Sequence, residues 1–161
     1  AYYERNGLIN KKGETNVWYA YAKEMNQQIR NMDHVLMNSV NKGIMVTGGY
    51  ASENMAAAKA YGMPLLDSFS LGGGNPTITG LSTDETGDKT YGAIAGCFDY
   101  QGKSAVYVVN YNVEQAQHIA LQWDSSRAYK ILDGNGEKDN ASATSCTISL
   151  NAGEAALLVF E

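Results

Sequence analysis

Proline and cysteine are scarce, at 2 residues each in a chain of 161. Two cysteines, Cys97 and Cys146, cannot build a disulfide framework, though strands facing one another would bring the pair within bridging reach. Neither stands at metal-ligand spacing from a histidine, of which there are 2. No Pro- and Ser-rich linker divides the chain, and no internal repeat is present. Lys/Arg clusters are also missing, and 12 basic against 17 acidic residues leave a net charge of −5. That balance argues against nucleic acid and anionic membrane as partners. No apolar run approaches the roughly 18 residues of a membrane span, and no basic start precedes an apolar stretch as in a signal peptide. Against these absences stand 17 glycines and 11 tyrosines, a composition suited to strands joined by tight turns. The length fits one domain of about 100–200 residues.

The first third reads as helix. Trp18, Tyr21, Met25, Ile29, Met32, Leu36 and Val40 recur in steps of three and four, which places them on one stripe. Thr15 or Asn16 caps the start, Gly43 supplies a left-handed stop, and the spacing predicts a helix over residues 17–41. Lys23, Gln27, Arg30 and Asn38 form its solvated face. A shorter, alanine-rich helix is expected over 52–62 with Ser52 as cap, between candidate strands at 44–47 and 64–71.

From Pro76 the period changes to two. Short strands are expected at 77–82, 93–100, 104–111, 118–123, 128–132, 143–150 and 154–160. Gln101-Gly102-Lys103 and Asn135-Gly136 mark hairpins, the latter with both central residues at positive φ. The fold class is therefore α+β: a long N-terminal helix packed on a predominantly antiparallel β-sandwich. Residues 1–75 form the helical lead-in with connecting strands, and 76–161 form the sandwich. Its expected core includes Phe98, Val106, Val108, Ile119, Leu121, Ile131, Ile148, Leu157 and Val159, with Trp123 inward.

Candidate chemistry is sparse. Gly72-Gly73-Gly74-Asn75-Pro76 lacks the Lys-Ser/Thr and following helix of a phosphate cradle and reads as a turn. The run from Asp133 to Asp139 has oxygen ligands at alternate positions, but Lys138 stands where a calcium loop needs glycine and Thr144 where it needs a bidentate Glu. His34 and His118 lack a neighbouring nucleophile motif. The carboxylates fall in turns or at strand ends, with nothing to desolvate them, so no catalytic, cofactor or metal residue is assigned. Tyrosine faces suit the C–H face of a pyranose. Tyr2, Tyr3, Tyr19, Tyr50, Tyr100 and Tyr129 are the ones expected at the surface, with Tyr50, Tyr100 and Tyr129 as candidate sugar contacts.

A family resemblance joins several of these segments. Cys97-Phe98, Gly102, Ala105 and Tyr107-Val108-Val109-Asn110, followed by Ile119-Ala120-Leu121-Gln122-Trp123, resemble a hairpin and strand in the C-terminal sandwich of (β/α)8-barrel glycoside hydrolases. Leu150, Gly153, Glu154 and Leu157 resemble the finish of the same modules, where the Gly-Glu corner leads into the last buried strand. The segment from Val17 to Ile29 resembles the last barrel helix of β-galactosidase-like enzymes. The resemblance implies a non-catalytic C-terminal module cut from a carbohydrate-active enzyme, whose partner is the missing catalytic barrel. The alternative is a carbohydrate-binding module working through exposed tyrosines. The barrel's catalytic carboxylates have no matching positions here, and none is carried over. Glu154 is expected to accept backbone N–H bonds at its corner.

Overall fold

The computed structural model describes residues 8–9, 12–56, 62–87 and 89–161. Helix α1 (Val17–Leu36) begins at Asn16, whose side chain accepts from the Tyr19 N–H at 3.2 Å. It ends five residues short of the expected last residue, 41. Asn38 Nδ2 donates to the His34 carbonyl and Ser39 Oγ to that of Val35, drawing the last carbonyls into side-chain bonds. Val40, which continues the apolar spacing, therefore lies in strand β1 (Ser39–Thr47). Gly43 is not a helix stop but follows the bulge of β1 at Lys42, at φ 146, where a Cβ would sit 2.8 Å from the Pro64 carbonyl oxygen. Helix α2 (Gly49–Ala56) starts three residues before the expected cap at Ser52, and the expected continuation over 57–61 lies outside the described residues.

The strands that follow are β2 (Ile78–Thr83), β3 (Ala93–Tyr100), β4 (Lys103–Asn110), β5 (Gln117–Asp133), β6 (Gly136–Leu150) and β7 (Ala155–Phe160). All pairings between named strands are antiparallel, and the architecture is α+β. The sheet runs β1-β3-β4-β7-β5-β2, with β6 along the other edge of β5. Two expected strands, 118–123 and 128–132, are one continuous β5. Its register slips between Gln122 and Tyr129, so the β5–β6 ribbon changes direction there. The first half of β5 pairs with β2 and the second half with β7. The sheet thus curls, and β2 approaches β1 and β3. Residues 64–71, expected as a strand, make only two isolated bridges. Leu65 sits opposite Ile44 of β1, whose N–H donates to Pro64 and whose carbonyl accepts from Leu66. Phe69 exchanges backbone bonds with Ile78 of β2, so this segment spans the gap between the two edges.

Turn chemistry sets the hairpins. Gln101 (φ 54) and Gly102 (φ 86) make the β3–β4 turn, with Asp99 accepting from the Gly102 N–H at 2.8 Å. The β5–β6 turn is centred on Gly134-Asn135, one residue before the expected pair. Asp133 accepts from the Asn135 N–H at 2.7 Å, and only Gly136 takes positive φ. Glu154 accepts from the Asn151 N–H at 2.8 Å, as its corner position implies.

Alternation sorts the core into two layers. Val106, Val108, Ile119, Leu121, Trp123, Ile148, Leu158 and Phe160 fill the concave side of the curl. Leu157, Val159, Ala105 and Leu132 face the other way, against Met32 and Val35 of α1. Both faces of β7 are therefore covered. Phe98 and Ile131, expected in the core, are only partly buried, Ile131 against the larger cluster and Phe98 against the one beneath α1. Cys97 and Cys146 are unpaired thiols inside the larger cluster, and burial pushes each up to about 12. Neither is expected to react with iodoacetamide at neutral pH until denaturant is added; mass spectrometry showing rapid labelling of the native chain would contradict this packing.

Candidate functional site

Two surfaces stand out. The first is α1 itself. Only its last turns touch the sheet, through Met32, Val35 and Leu36, with Asn31 Nδ2 donating to the Asp133 carbonyl at 2.9 Å. The expected packing of the whole stripe is not found. Trp18, Tyr21, Met25 and Ile29 are 56%, 58%, 57% and 49% exposed, with the Trp18 and Tyr21 rings edge-on at 5.9 Å. No described helix is long and apolar enough to cross a membrane.

The second is a cleft between α2 and the ends of β3 and β4. Its volume is about 540 Å³, and Tyr50, Tyr91 and Tyr111 line it with Asn54 and Val113. α2 is anchored there because Tyr50 and Ala51 donate backbone N–H bonds to the carbonyls of Thr90 and Tyr91. The Tyr50 and Tyr91 rings lie 5.3 Å apart at 48°, and Asn54 Nδ2 donates to the Tyr111 hydroxyl at 3.0 Å. Tyr91 also borders a polar cavity of about 420 Å³ lined by Asp84, Glu85, Lys89, Asn112 and Gln117. Glu85 is held from both oxygens, one accepting from the Gly92 N–H at 2.7 Å and the other from Asn112 Nδ2 at 3.0 Å. Gln117 is 2% exposed, and neither atom of its side-chain amide has a hydrogen-bond partner among the described residues. The Glu114 carboxylate beside Tyr91 pushes its phenol upward.

The tyrosines expected to meet sugar are scattered. Tyr50 lines the cleft. Tyr100 borders a separate depression with His34, Lys103 and Glu137 beneath the end of α1. Tyr129 is a correction: it is 8% exposed, edge-on to Trp123 at 5.3 Å, and offers no face to a ligand. Tyr19 is 40% exposed on α1, and Tyr2 and Tyr3 lie outside the described residues. Tyr91 and Tyr111 were not singled out in the sequence. They converge only because β3 and β4 pair in the register Ala93–Asn110, which brings the flanking residues together.

The carboxylates mostly serve turns. Asp124 accepts from the Thr77 N–H at 2.9 Å, which holds it below the usual carboxylate range. Asp84 is lowered too, first by its 2.7 Å bond to His118 Nδ1. Among the described residues no group of three or more His, Cys, Asp or Glu converges as a metal site. Comparison with protein-family models, curated protein sequences and solved structures yields no match.

Proposed function

We propose that the chain is a non-catalytic accessory module of a carbohydrate-active enzyme, of the kind that follows the barrel in β-galactosidase-like glycoside hydrolases. In this reading the limbs of the curled sheet are the layers of a sandwich, and α1 is the helix that passes from barrel to module. The observation that carries it is the apolar face of α1, left open at Trp18, Tyr21, Met25 and Ile29 while the last turns are packed. Contiguous apolar surface of this kind marks an interaction site. Each is already about half covered, so completing its burial contributes roughly half of the 1.5–3 kcal/mol of a full side chain, and the four together favour a domain interface. Carboxylates tied to backbone N–H groups at turns support the non-catalytic half of the reading, since neither Asp84 nor Asp124 is raised as a general acid requires.

Hydroxyl-radical footprinting tests the docking. Trp18 and Met25 should oxidise quickly in the isolated chain and be protected in the parent polypeptide. Met45, 4% exposed, is the internal control and should be protected in both. Equal oxidation of Met25 in the two forms would refute the docked helix. The isolated chain should also leave aryl glycosides intact. Turnover that disappears in Glu85→Gln would refute the non-catalytic assignment.

A further inference from the structure

We infer that the tyrosine cleft and the polar cavity beside it form one binding site for a neutral saccharide, with Tyr91 shared between them. This inference stands apart from the docking of α1. The two cavities share Tyr91 as a wall, and their volumes of about 540 and 420 Å³ each fall within the range of small-molecule sites, about 300–1,000 Å³. The cleft offers aromatic faces, and the cavity offers the carboxylates of Asp84 and Glu85 and the amides of Asn112, Gln115 and Gln117. A pyranose presents the matching pair of surfaces, an apolar C–H face and a rim of hydroxyls that both donate and accept.

Three features select this class over others. Glu85 is already oriented by Gly92 and Asn112, so hydroxyl donors meet a fixed acceptor without an ordering cost. Gln117, the most buried polar side chain of the cavity, carries an unpartnered donor and acceptor, which an apolar ligand would leave unsatisfied. Asp84 and Glu85 in the lining, with Glu114 beside Tyr91, outweigh Lys89 and disfavour an anion. A neutral sugar with its apolar face on the tyrosines and its hydroxyls toward Glu85, and toward Gln117 once that buried amide turns outward, answers each requirement. The polar groups converge from β5, the β2–β3 connection and the β4–β5 connection, so the site depends on the folded sheet rather than on any one loop.

The test is a titration of the chain with lactose, cellobiose and maltose, followed by NMR of the tyrosine rings. Glucuronate and indole serve as the anionic and apolar comparisons. At least one disaccharide should shift Tyr50 and Tyr91 at millimolar concentration, with Tyr100 unmoved. Tyr50→Ala and Tyr91→Ala should each weaken binding about tenfold or more. Gln117→Leu should weaken it while leaving the thermal midpoint unchanged or raised, because the substitution removes an unpartnered buried amide. Should Tyr91→Ala fail to fold, Tyr50→Ala on the surface of α2 carries the comparison. No disaccharide shift, undiminished shifts in Tyr50→Ala, or tighter binding of glucuronate or indole would each overturn the inference.

Discussion

Gly92→Ala is expected to cost the chain most of its stability. Gly92 stands at φ +81, just before β3, and a Cβ placed on it would lie 1.8 Å from the Thr47 carbonyl oxygen and 2.7 Å from the Gly48 Cα. Gly48 meets the reciprocal constraint, its own Cβ position being 2.3 Å from the Gly92 Cα. The two glycines are thus a backbone-to-backbone crossing, and no rotamer change relieves a clash with main chain. The backbone cannot simply withdraw. Gly92 N–H donates to Glu85, its carbonyl accepts from Tyr111 at 3.1 Å, and the β1–β3 ladder starts at the next residue. Positive φ alone costs a non-glycine residue about 1–3 kcal/mol, and the overlap adds to it, against a total stability of about 5–15 kcal/mol for a domain. Gly102→Ala is the control. Its φ is +86, but a Cβ there meets nothing within 4 Å, so only the conformational penalty applies. Urea unfolding should place Gly92→Ala far below Gly102→Ala, with much of it unfolded before denaturant is added. Equal midpoints for the two variants would show that the crossing opens at little cost.

Trp123→Ala should destabilise the fold by about 3–5 kcal/mol. Trp123 is 3% exposed and sits edge-on to Phe160 at 5.0 Å and to Tyr129 at 5.3 Å. Its indole N–H donates to the Ala143 carbonyl at 2.7 Å, tying β5 to β6 where their register slips. Truncation removes the largest ring of the cluster and leaves that carbonyl without its donor. The two remaining rings, Tyr129 and Phe160, lose their edge-on partner and cannot fill its space without leaving their own packing. Trp123→Phe keeps a ring but not the N–H and should lose less. A chemical denaturation curve for Trp123→Ala within about 1 kcal/mol of the parent would contradict a closed aromatic cluster.

How far the sequence carried the fold depends on where local pattern and tertiary pairing agree. The start of α1, the β3–β4 hairpin and the inward set Val106, Val108, Ile119 and Leu121 follow from capping, turn chemistry and alternation. The end of α1 does not, because Val40 falls on the helical period while Asn38 and Ser39 pull the chain out of it. Asp124-Ser125-Ser126-Arg127 looks like a loop, so β5 reads as two strands. Carrying the odd-numbered inward set of Ile119, Leu121 and Trp123 across that polar stretch would have put Tyr129 inside, where it lies. The cleft was legible only at Tyr50. Tyr91 and Tyr111 reach it through the pairing of β3 with β4, and no spacing along the chain announces that meeting.

The position of β7 also fixes an order of events in synthesis. It is made after the other described strands, yet it lies between β4 and the second half of β5 and pairs with both. Until Ala155–Phe160 has left the ribosome, β4 and the second half of β5 lack the strand that pairs with both, and the two hairpins are linked only through β1, β2 and residues 64–71. Val106 and Val108 on one side and Tyr129 and Leu132 on the other must wait as unclosed apolar surface, a period in which the chain depends on chaperones or on fast completion. Deleting Ala155–Phe160 would therefore leave the two limbs joined only at β1, β2 and residues 64–71, with both core layers open, a product for proteolysis and not a slightly smaller domain.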